Sequence, residues 1–127
     1  MRYLLDTHII IWLAENSFKL PLKIKEIVLR PENEIYISSI SLWEIAIKMN
    51  LGKLNLDFTL DELFVAVKNN DFNILQIEDE YLRDLSKLPF LHKDPFDRLL
   101  ISTALAENLT IITADENIQK YNVAWVW

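Results

Sequence analysis

The 127-residue sequence contains a single glycine, Gly52, no cysteine and only two histidines. The Walker loop and the G-x-G-x-x-G turn each need at least two glycines, and so does the G-x-S-x-G nucleophile elbow. Without cysteine the chain has no disulfide, no catalytic thiol and no cysteine-ligated zinc. Two histidines are too few for a histidine-rich zinc site. These absences exclude several common nucleotide-binding, hydrolytic and zinc-dependent classes.

Long hydrophobic runs and an excess of basic residues are also absent. No stretch approaches the ~18 apolar residues of a membrane span, and the apolar run 9–14 is flanked by Asp6 and Glu15, which no signal peptide would have. We therefore expect a cytoplasmic protein that does not associate with membranes. The net charge of −6 argues against binding nucleic acid by bulk charge alone. It is compatible with a nuclease whose acidic site is neutralised by a metal.

The remaining composition is that of a globular protein, with 51% hydrophobic and 25% charged residues. The length predicts one domain over residues 1–127. Short apolar or β-branched runs predict strands at 3–5, 34–37, 72–77, 110–113 and 123–126. Helix signals lie between them: the capping-box spacing of Thr59 and Glu62, the Asp94-Pro95 start, and Gly52 as a helix C-terminal cap. Strands that alternate with helices predict an α/β fold with a mainly parallel sheet covered on both faces.

Carboxylates follow the ends of several predicted strands. Asp6 follows the first strand directly, Glu44 lies near the start of the helix after the second, and Asp115 follows the 110–113 strand. Asp94 and Asp97 begin the helix after a proline-containing loop. In open α/β sheets the carboxyl ends of parallel strands share one edge, where ligands bind. Converging carboxylates repel one another, and Mg²⁺ or Mn²⁺ removes that cost and can activate water beside a phosphate.

Each carboxylate also has a purely structural interpretation. Asp94, Asp97 and Asp115 suit helix starts, as N-caps or through the helix dipole. Glu44 has capping-box spacing with the serine three residues before it. Asp6 is the hardest to explain in this way, because an unpaired charge between an apolar strand and an apolar helix is costly.

Further polar and aromatic residues are secondary candidates. Thr7 is predicted to be a helix cap or, alternatively, a donor to Asp6, and Thr113 a donor to a site carboxylate or simply a strand end. Arg98 is either a phosphate ligand or a solvated surface charge. The lone histidines favour structural roles, and the tryptophans favour the core or an interface; they are His8, His92, Trp12, Trp43, Trp125 and Trp127.

Several blocks of the sequence, in their order and spacing, resemble a PIN-domain protein of the VapC toxin type. These blocks are LLDTH at 4–8 with Trp12, SSISLWEI at 38–45, LGKL at 51–54, HKDPFDRLL at 92–100 and TADENI at 113–118. The resemblance covers essentially the whole chain. It implies a three-layer α/β/α sandwich with a mainly parallel central sheet.

The resemblance also implies an activity, a cofactor and partners. The activity would be that of a Mg²⁺- or Mn²⁺-dependent endoribonuclease, the toxin of a type II toxin–antitoxin pair. Its catalytic and metal-binding carboxylates carry over to Asp6, Glu44, Asp97 and Asp115, with Asp94 as a secondary candidate. A homodimer, an RNA substrate and a VapB-type antitoxin are implied as well; the antitoxin's C-terminal segment would cover the acidic site, often with an arginine directed at the carboxylates.

Two other classes of function are alternatives: a phosphatase or phospho-receiver, against which the sequence speaks, and a non-catalytic binding module. A haloacid-dehalogenase-type phosphatase would need D-x-D after the first strand, but His8 stands in the second position. A phospho-receiver would need paired acids there and an acid where Gln76 stands. A non-catalytic binding module would use the acids only as caps, and a divalent cation would then leave its melting temperature unchanged.

Overall fold

A five-stranded sheet lies at the centre of the computed structural model, which describes residues 1–127. The strands are β1 (Arg2–Leu5), β2 (Glu34–Ser38), β3 (Asn73–Leu75), β4 (Thr110–Ile112) and β5 (Trp125–Val126). The helices are α1 (Thr7–Ala14), α2 (Leu22–Leu29), α3 (Ser39–Asn50), α4 (Leu60–Asn69), α5 (Asp79–Leu85), α6 (Pro95–Glu107) and α7 (Glu116–Gln119). None of the helices has the length and apolar character needed to cross a membrane.

The sheet order is β3-β2-β1-β4-β5, and every strand pairing is parallel. The chain runs outwards from β1 through β2 and β3, and later pairs β4 on the opposite side of β1. The strand order therefore reverses between β1 and β4. In open α/β sheets, ligands bind at such a reversal, beyond the carboxyl ends of the strands. Asp6 and Thr113 directly follow the two strands that flank this point.

Successive side chains of the strands point to opposite faces of the sheet, and helices cover both faces. Leu5 and Ile37 belong to a core cluster shared with α1, α2 and α4. Leu4 and Ile111 belong to a second cluster shared with α6 and α7, and α5 packs on α6 around Tyr81. The predicted three-layer α/β/α architecture with a parallel sheet is confirmed.

The predicted helix-end signals are confirmed by backbone geometry. Thr59 and Glu62 form a reciprocal capping box, each side chain accepting from the other's N–H at 3.1 Å. Gly52 follows the cap of α3 with φ +71°, and its N–H bonds to Met49 while that of Lys53 bonds to Lys48. This is a Schellman ending, in which glycine adopts the left-handed conformation at no steric cost.

The two edge strands and the last helix are shorter than predicted. β3 covers 73–75 rather than 72–77, because its partner β2 ends at Ser38, opposite Leu75, where α3 begins. β5 covers only 125–126 of the predicted 123–126, paired to β4. The sequence also predicts a last short helix that Asp115 caps and that runs to about Tyr121, whereas α7 ends at Gln119. Strand length at a sheet edge depends on the partner strand, which local sequence patterns do not encode.

Candidate active site

Asp6 lies where β1 ends, and it is the N-cap of α1. Its side chain is only 2% exposed. One carboxylate oxygen accepts from the Thr7 N–H at 2.7 Å, and the other accepts from Thr113 Oγ1 at 2.8 Å. Burial raises the pKa of Asp6 above its usual range, while the hydrogen bond from Thr113 acts in the opposite direction. The fold therefore buries a carboxylate and holds both of its oxygens between β1 and β4.

Glu44 is buried in the second turn of α3 and is held from two sides. Its Oε1 accepts from Thr7 Oγ1 at 2.8 Å, and its Oε2 lies 2.9 Å from Lys48 Nζ. Thr7 Oγ1 also lies 3.0 Å from Ser41 Oγ. Thr7 therefore contacts both carboxylates, Asp6 through its backbone N–H and Glu44 through its hydroxyl.

Two structural interpretations from the sequence are wrong at this point. Glu44 does not close a capping box, because α3 begins at Ser39 with Ser38 as its cap, which places Glu44 beyond the first turn. Thr7 is not the cap of α1, since Asp6 holds that position. Thr7 does donate to Asp6, as the alternative predicted, but through its backbone N–H, while its hydroxyl bonds to Glu44. The predicted hydrogen bond from Thr113 to a site carboxylate is confirmed.

Asp97 lies in the first turn of α6, with its side chain 13% exposed. Its Oδ2 lies 3.1 Å from His92 Nε2. Burial raises the pKa of Asp97 to about 8, and the charges of four neighbouring carboxylates add to the rise. These neighbours are Asp94, Asp6, Asp115 and Glu44. Four separate chain segments thus bring acidic side chains within electrostatic range of one another.

His92 is oriented by Tyr121, whose hydroxyl oxygen lies 2.8 Å from His92 Nδ1. That oxygen also receives the backbone N–H groups of Leu91 and His92 at 3.3 Å and Arg98 Nη1 at 3.0 Å. The Tyr121 hydroxyl hydrogen is then free to point at Nδ1, so we assign the proton of a neutral His92 to Nε2. From there it donates to Asp97 Oδ2.

Arg98 does not take the role of a phosphate ligand. It is only 9% exposed, and Nη1 donates to the Pro89 carbonyl at 2.9 Å as well as to Tyr121. Its guanidinium also lies 4.7 Å from the centre of the Phe90 ring. The cation fastens the proline-containing loop to α6. The prediction of a solvated surface charge is therefore wrong, and the internal hydrogen bonds leave its guanidinium engaged within the protein rather than directed at a phosphate.

Asp94 and Asp115 are both helix caps. Asp94 accepts from the N–H groups of Phe96 and Asp97 at 2.9 and 3.1 Å, as predicted. Asp115 accepts from Asn117 at 2.8 Å through Oδ1 alone, and Oδ2 accepts no hydrogen bond. Capping α7 therefore leaves half of the Asp115 carboxylate available beside Asp6.

Two residues that complete these contacts, Ser41 and Tyr121, were not among the sequence candidates, and two others, Lys48 and His92, were not predicted to contact the acidic residues. Lys48 carried a usable signal, because it stands four residues after Glu44 on one helix and such pairs face each other. His92 stands five residues before Asp97 across a helix start, a spacing that does not by itself predict contact. Nothing in the sequence indicated Tyr121, which reaches the site only through the packing of α6 and α7.

The donor set suits a hard divalent cation, since it consists of carboxylate oxygens without cysteine. Asp97 Oδ1 and Asp115 Oδ2 accept no hydrogen bond, and the mutual repulsion expressed in the raised pKa of Asp97 would be relieved by a cation. As placed, however, no three acidic or imidazole groups lie close enough together to ligate one ion. Mg²⁺ usually keeps several waters and takes only one or two carboxylates directly, so the residues fit an ion that is partly held through water.

A separate apolar cavity of about 450 Å³ lies away from these carboxylates, between α1, α2, α4 and the sheet. Leu5, Ile10, Leu63 and Phe72 are among its lining residues, and Lys25 is its only ionisable one. It therefore supplies none of the polar groups that the acidic edge of the sheet brings together.

The PIN domain family model matches residues 3–124 of the chain. The fold is similar to VapBC2 from Rickettsia felis bound to a promoter DNA fragment, with 21% identity, a TM-score of 0.74, and 99% of this chain and 98% of that chain covered. The fold is also similar to VapBC-1 from nontypeable Haemophilus influenzae, with 24% identity, a TM-score of 0.71, and 99% of this chain and 97% of that chain covered. A third similar structure is DNA-bound VapBC from Salmonella typhimurium, with 16% identity, a TM-score of 0.70, and 99% of this chain and 97% of that chain covered. No curated protein matches the chain in sequence. Because these sequence identities lie between 16% and 24%, the structural similarity shows the fold alone.

Proposed function

Because this chain belongs to the PIN domain family, we propose that it is a Mg²⁺- or Mn²⁺-dependent endoribonuclease that acts as the toxin of a type II toxin–antitoxin pair. One observation carries this proposal. Carboxylates from four separate segments come within electrostatic range at the reversal point of the parallel sheet: Asp6, Glu44, Asp97 and Asp115. Ligand chemistry in open α/β sheets occurs at this position.

An acidic site of this kind needs a cation before it can receive RNA. The phosphodiester is an anion, and it would be repelled by the same carboxylates whose charges add to the rise that burial causes in the pKa of Asp97. A bound Mg²⁺ or Mn²⁺ would polarise the phosphate and activate the attacking water. The proposal therefore assigns metal binding to the four carboxylates and hydrolysis of RNA to the edge they form.

The protein's own residues hold these carboxylates in place before any ligand arrives. Thr113 and the Thr7 N–H fix the two oxygens of Asp6. The Thr7 hydroxyl and Lys48 fix Glu44. Orientation of the donors in advance lowers the cost of organising the site during the reaction.

We also propose a VapB-type antitoxin as the protein partner and a homodimer as the toxin assembly. The support for the antitoxin is that solved neighbours are VapBC complexes, together with the net charge of −6; the homodimer is carried over from the family resemblance alone. A basic antitoxin segment would be attracted to the acidic edge, and an arginine could pair with its carboxylates. A gene for a small antitoxin immediately beside this one, and co-purification of its product, would test the pairing.

Cleavage of total cellular RNA by the purified, antitoxin-free protein tests the nuclease assignment. We expect fragments in Mn²⁺ or Mg²⁺ that disappear with EDTA. Asp6→Asn should slow cleavage at least about 100-fold, because it removes a carboxylate that supports the metal. Asp57→Asn, an exposed aspartate in a loop, is the matched control and should cleave like the parent protein.

A second measurement separates an inactive preparation from a wrong assignment. Mn²⁺ should raise the melting temperature of the parent protein, because an ion that binds only the folded state stabilises it, and Asp6→Asn should reduce that shift. Cleavage by Asp6→Asn at the parent rate would refute the site. Neither cleavage nor a metal-induced shift would favour the non-catalytic binding module instead.

A further inference from the structure

We propose that a pocket formed by His8, Trp12 and Ala114, and walled by Asp6 and Asp115, is a nucleobase-binding subsite that stacks a base of single-stranded RNA next to the scissile phosphate. The pocket measures about 260 Å³ and opens to solvent. The proposal rests on the ribonuclease function argued above, because it takes the carboxylates as the place where the phosphodiester lies.

The first step is that the rings and the carboxylates line one pocket. His8 and Trp12 stand four residues apart on α1 and therefore share a helix face. Their ring centroids are 6.0 Å apart at 52°. The opposite wall is the turn after β4, where Asp115 belongs to the catalytic set and Ala114 adds little bulk. RNA bound at the carboxylates would place a neighbouring base at these rings.

The rings of His8 and Trp12 are accessible to a ligand in the absence of RNA. His8 is exposed and Trp12 only partly buried, although α1 otherwise buries its isoleucines in the core. Trp12 is nevertheless fixed in place, packed against the core and 6.0 Å from the ring of Trp127 at 49°. A tryptophan that is held by packing but lines an open pocket offers a preformed surface to a planar ligand. Base–aromatic stacking uses such surfaces and tolerates every base.

Two lysines lie beside the aromatic residues Trp12 and Trp127. Lys19 Nζ lies 6.0 Å from the Trp12 ring centroid, and Lys23 Nζ donates to the Trp127 carbonyl at 2.7 Å. Both lysines are exposed. Cations beside Trp12 and Trp127, together with carboxylates in the pocket wall, suit a ligand with a phosphate on either side of its base. A nucleotide within an RNA strand has that form, with one phosphate toward the carboxylates and the next toward the lysines.

Binding of uncleaved oligoribonucleotides tests this subsite separately from catalysis. Fluorescence anisotropy in Ca²⁺, in place of the catalytic ion, would compare short oligoadenylate and oligouridylate with an abasic ribose-phosphate strand of equal length. The parent protein should bind the base-bearing strands more tightly. Trp12→Ala should weaken that binding about 5- to 100-fold with little effect on the abasic strand. Trp12→Phe should retain most of the affinity, and Trp125→Ala, an exposed tryptophan outside the pocket, should leave it unchanged.

His8→Ala provides a second test if Trp12→Ala does not fold, since His8 is exposed; it should also weaken only base-bearing strands. Equal affinities of the parent protein for base-bearing and abasic RNA would overturn the subsite. So would an effect of Trp12→Ala on binding of an antitoxin peptide but not of RNA, because the pocket would then belong to the protein partner. Base-dependent binding with neither cleavage nor a rise in melting temperature in Mn²⁺ would refute the nuclease and leave the subsite standing as an RNA-binding site. Cleavage of RNA by a protein that binds base-bearing and abasic strands equally well would support the nuclease and refute the subsite. No RNA binding at all would refute both.

Discussion

The two halves of the acidic edge hold their carboxylates by different means. In the half next to the sheet, Asp6 and Glu44 accept from threonine hydroxyls, those of Thr113 and Thr7, at 2.8 Å each. In the half next to the loop, Asp97 has a single side-chain partner, the imidazole of His92 at 3.1 Å. The first half is held by buried, neutral hydroxyls with one partly exposed cation, Lys48, beside them, whereas the second depends on a titratable ring.

This difference follows from where the donors sit in the fold. Thr7 and Thr113 adjoin β1 and β4, whose parallel pairing sets their separation, and both are at most 4% exposed. His92 lies on the loop before α6, which Arg98 and Tyr121 fasten in place. Sheet pairing thus builds one half of the site together with the core, while the other half is added by a loop. The predictions that follow test this contrast, beginning with the largest effect.

The largest effect is expected from Thr7→Val, which keeps the shape of the side chain but removes the donor to Glu44. A buried carboxylate oxygen would lose its hydroxyl partner, which costs about 1–3 kcal/mol in the free energy of unfolding. Because partners behind metal ligands typically change metal affinity 10- to 100-fold, Mn²⁺ binding should weaken by about that factor. Urea denaturation and Mn²⁺ titration of the melting temperature measure the two effects.

Thr103→Val is the matched control, since Thr103 is equally buried but its hydroxyl bonds to the Leu99 carbonyl within α6. That carbonyl keeps its helical partner, so the loss of stability should be smaller and Mn²⁺ affinity should not change. If Thr7→Val and Thr103→Val lost the same stability and bound Mn²⁺ equally well, the Thr7 hydroxyl would have no special role in the acidic edge.

A smaller effect, with a defined pH dependence, is expected from Asp97→Asn in the loop half. Burial and the neighbouring carboxylates raise the pKa of Asp97 from 3.8 to about 8. The folded protein therefore holds a proton that the unfolded chain releases near pH 4, and without metal its stability falls as pH rises from about 4 to 8. Asp97→Asn removes this loss, so its melting temperature should exceed that of the parent by about 3–8 °C at pH 8 and match it near pH 4.

Thermal melting in EDTA at several pH values measures this difference, and Asp57→Asn again serves as the control. Saturating Mn²⁺ should shrink the gap at pH 8, because the ion stabilises the ionised carboxylates of the parent protein. A gap that is constant from pH 4 to 8 would mean that Asp97 is not the group that titrates between these values.

The same contrast explains how far the sequence could predict the site. Asp6 was predictable because an acidic residue at the end of an apolar strand needs a partner, and Asp94-Pro95 marked the start of α6. The parallel sheet followed from alternating strand and helix signals, and it places Asp6 and Thr113 side by side although they are 107 residues apart.

What the sequence could not provide were contacts that depend on side-chain packing between elements. The Thr7 hydroxyl contacts Glu44 because α1 packs against α3, and a backbone pattern does not determine which oxygen a hydroxyl faces. Tyr121 follows the last helix and becomes a site residue only through its contacts with His92 and Arg98. The pairing of these residues is a property of the folded core rather than of any local motif.

The smallest expected effect comes from Lys48→Met, which removes the only cation bound directly to the sheet half while keeping the aliphatic stem. Lys48 is 37% exposed and pairs with Glu44 Oε2 at 2.9 Å; pairs this close to solvent contribute about 0.3–1 kcal/mol. We expect a loss of that size in urea denaturation, larger at low ionic strength, with Lys87→Met, an exposed lysine in the turn after α5, as the control. Because the neutral hydroxyl of Thr7 still holds Glu44, Lys48→Met should cost less stability than Thr7→Val. A larger loss for Lys48→Met would mean that the sheet half, like the loop half, depends on charge, and the contrast between the two halves would fail.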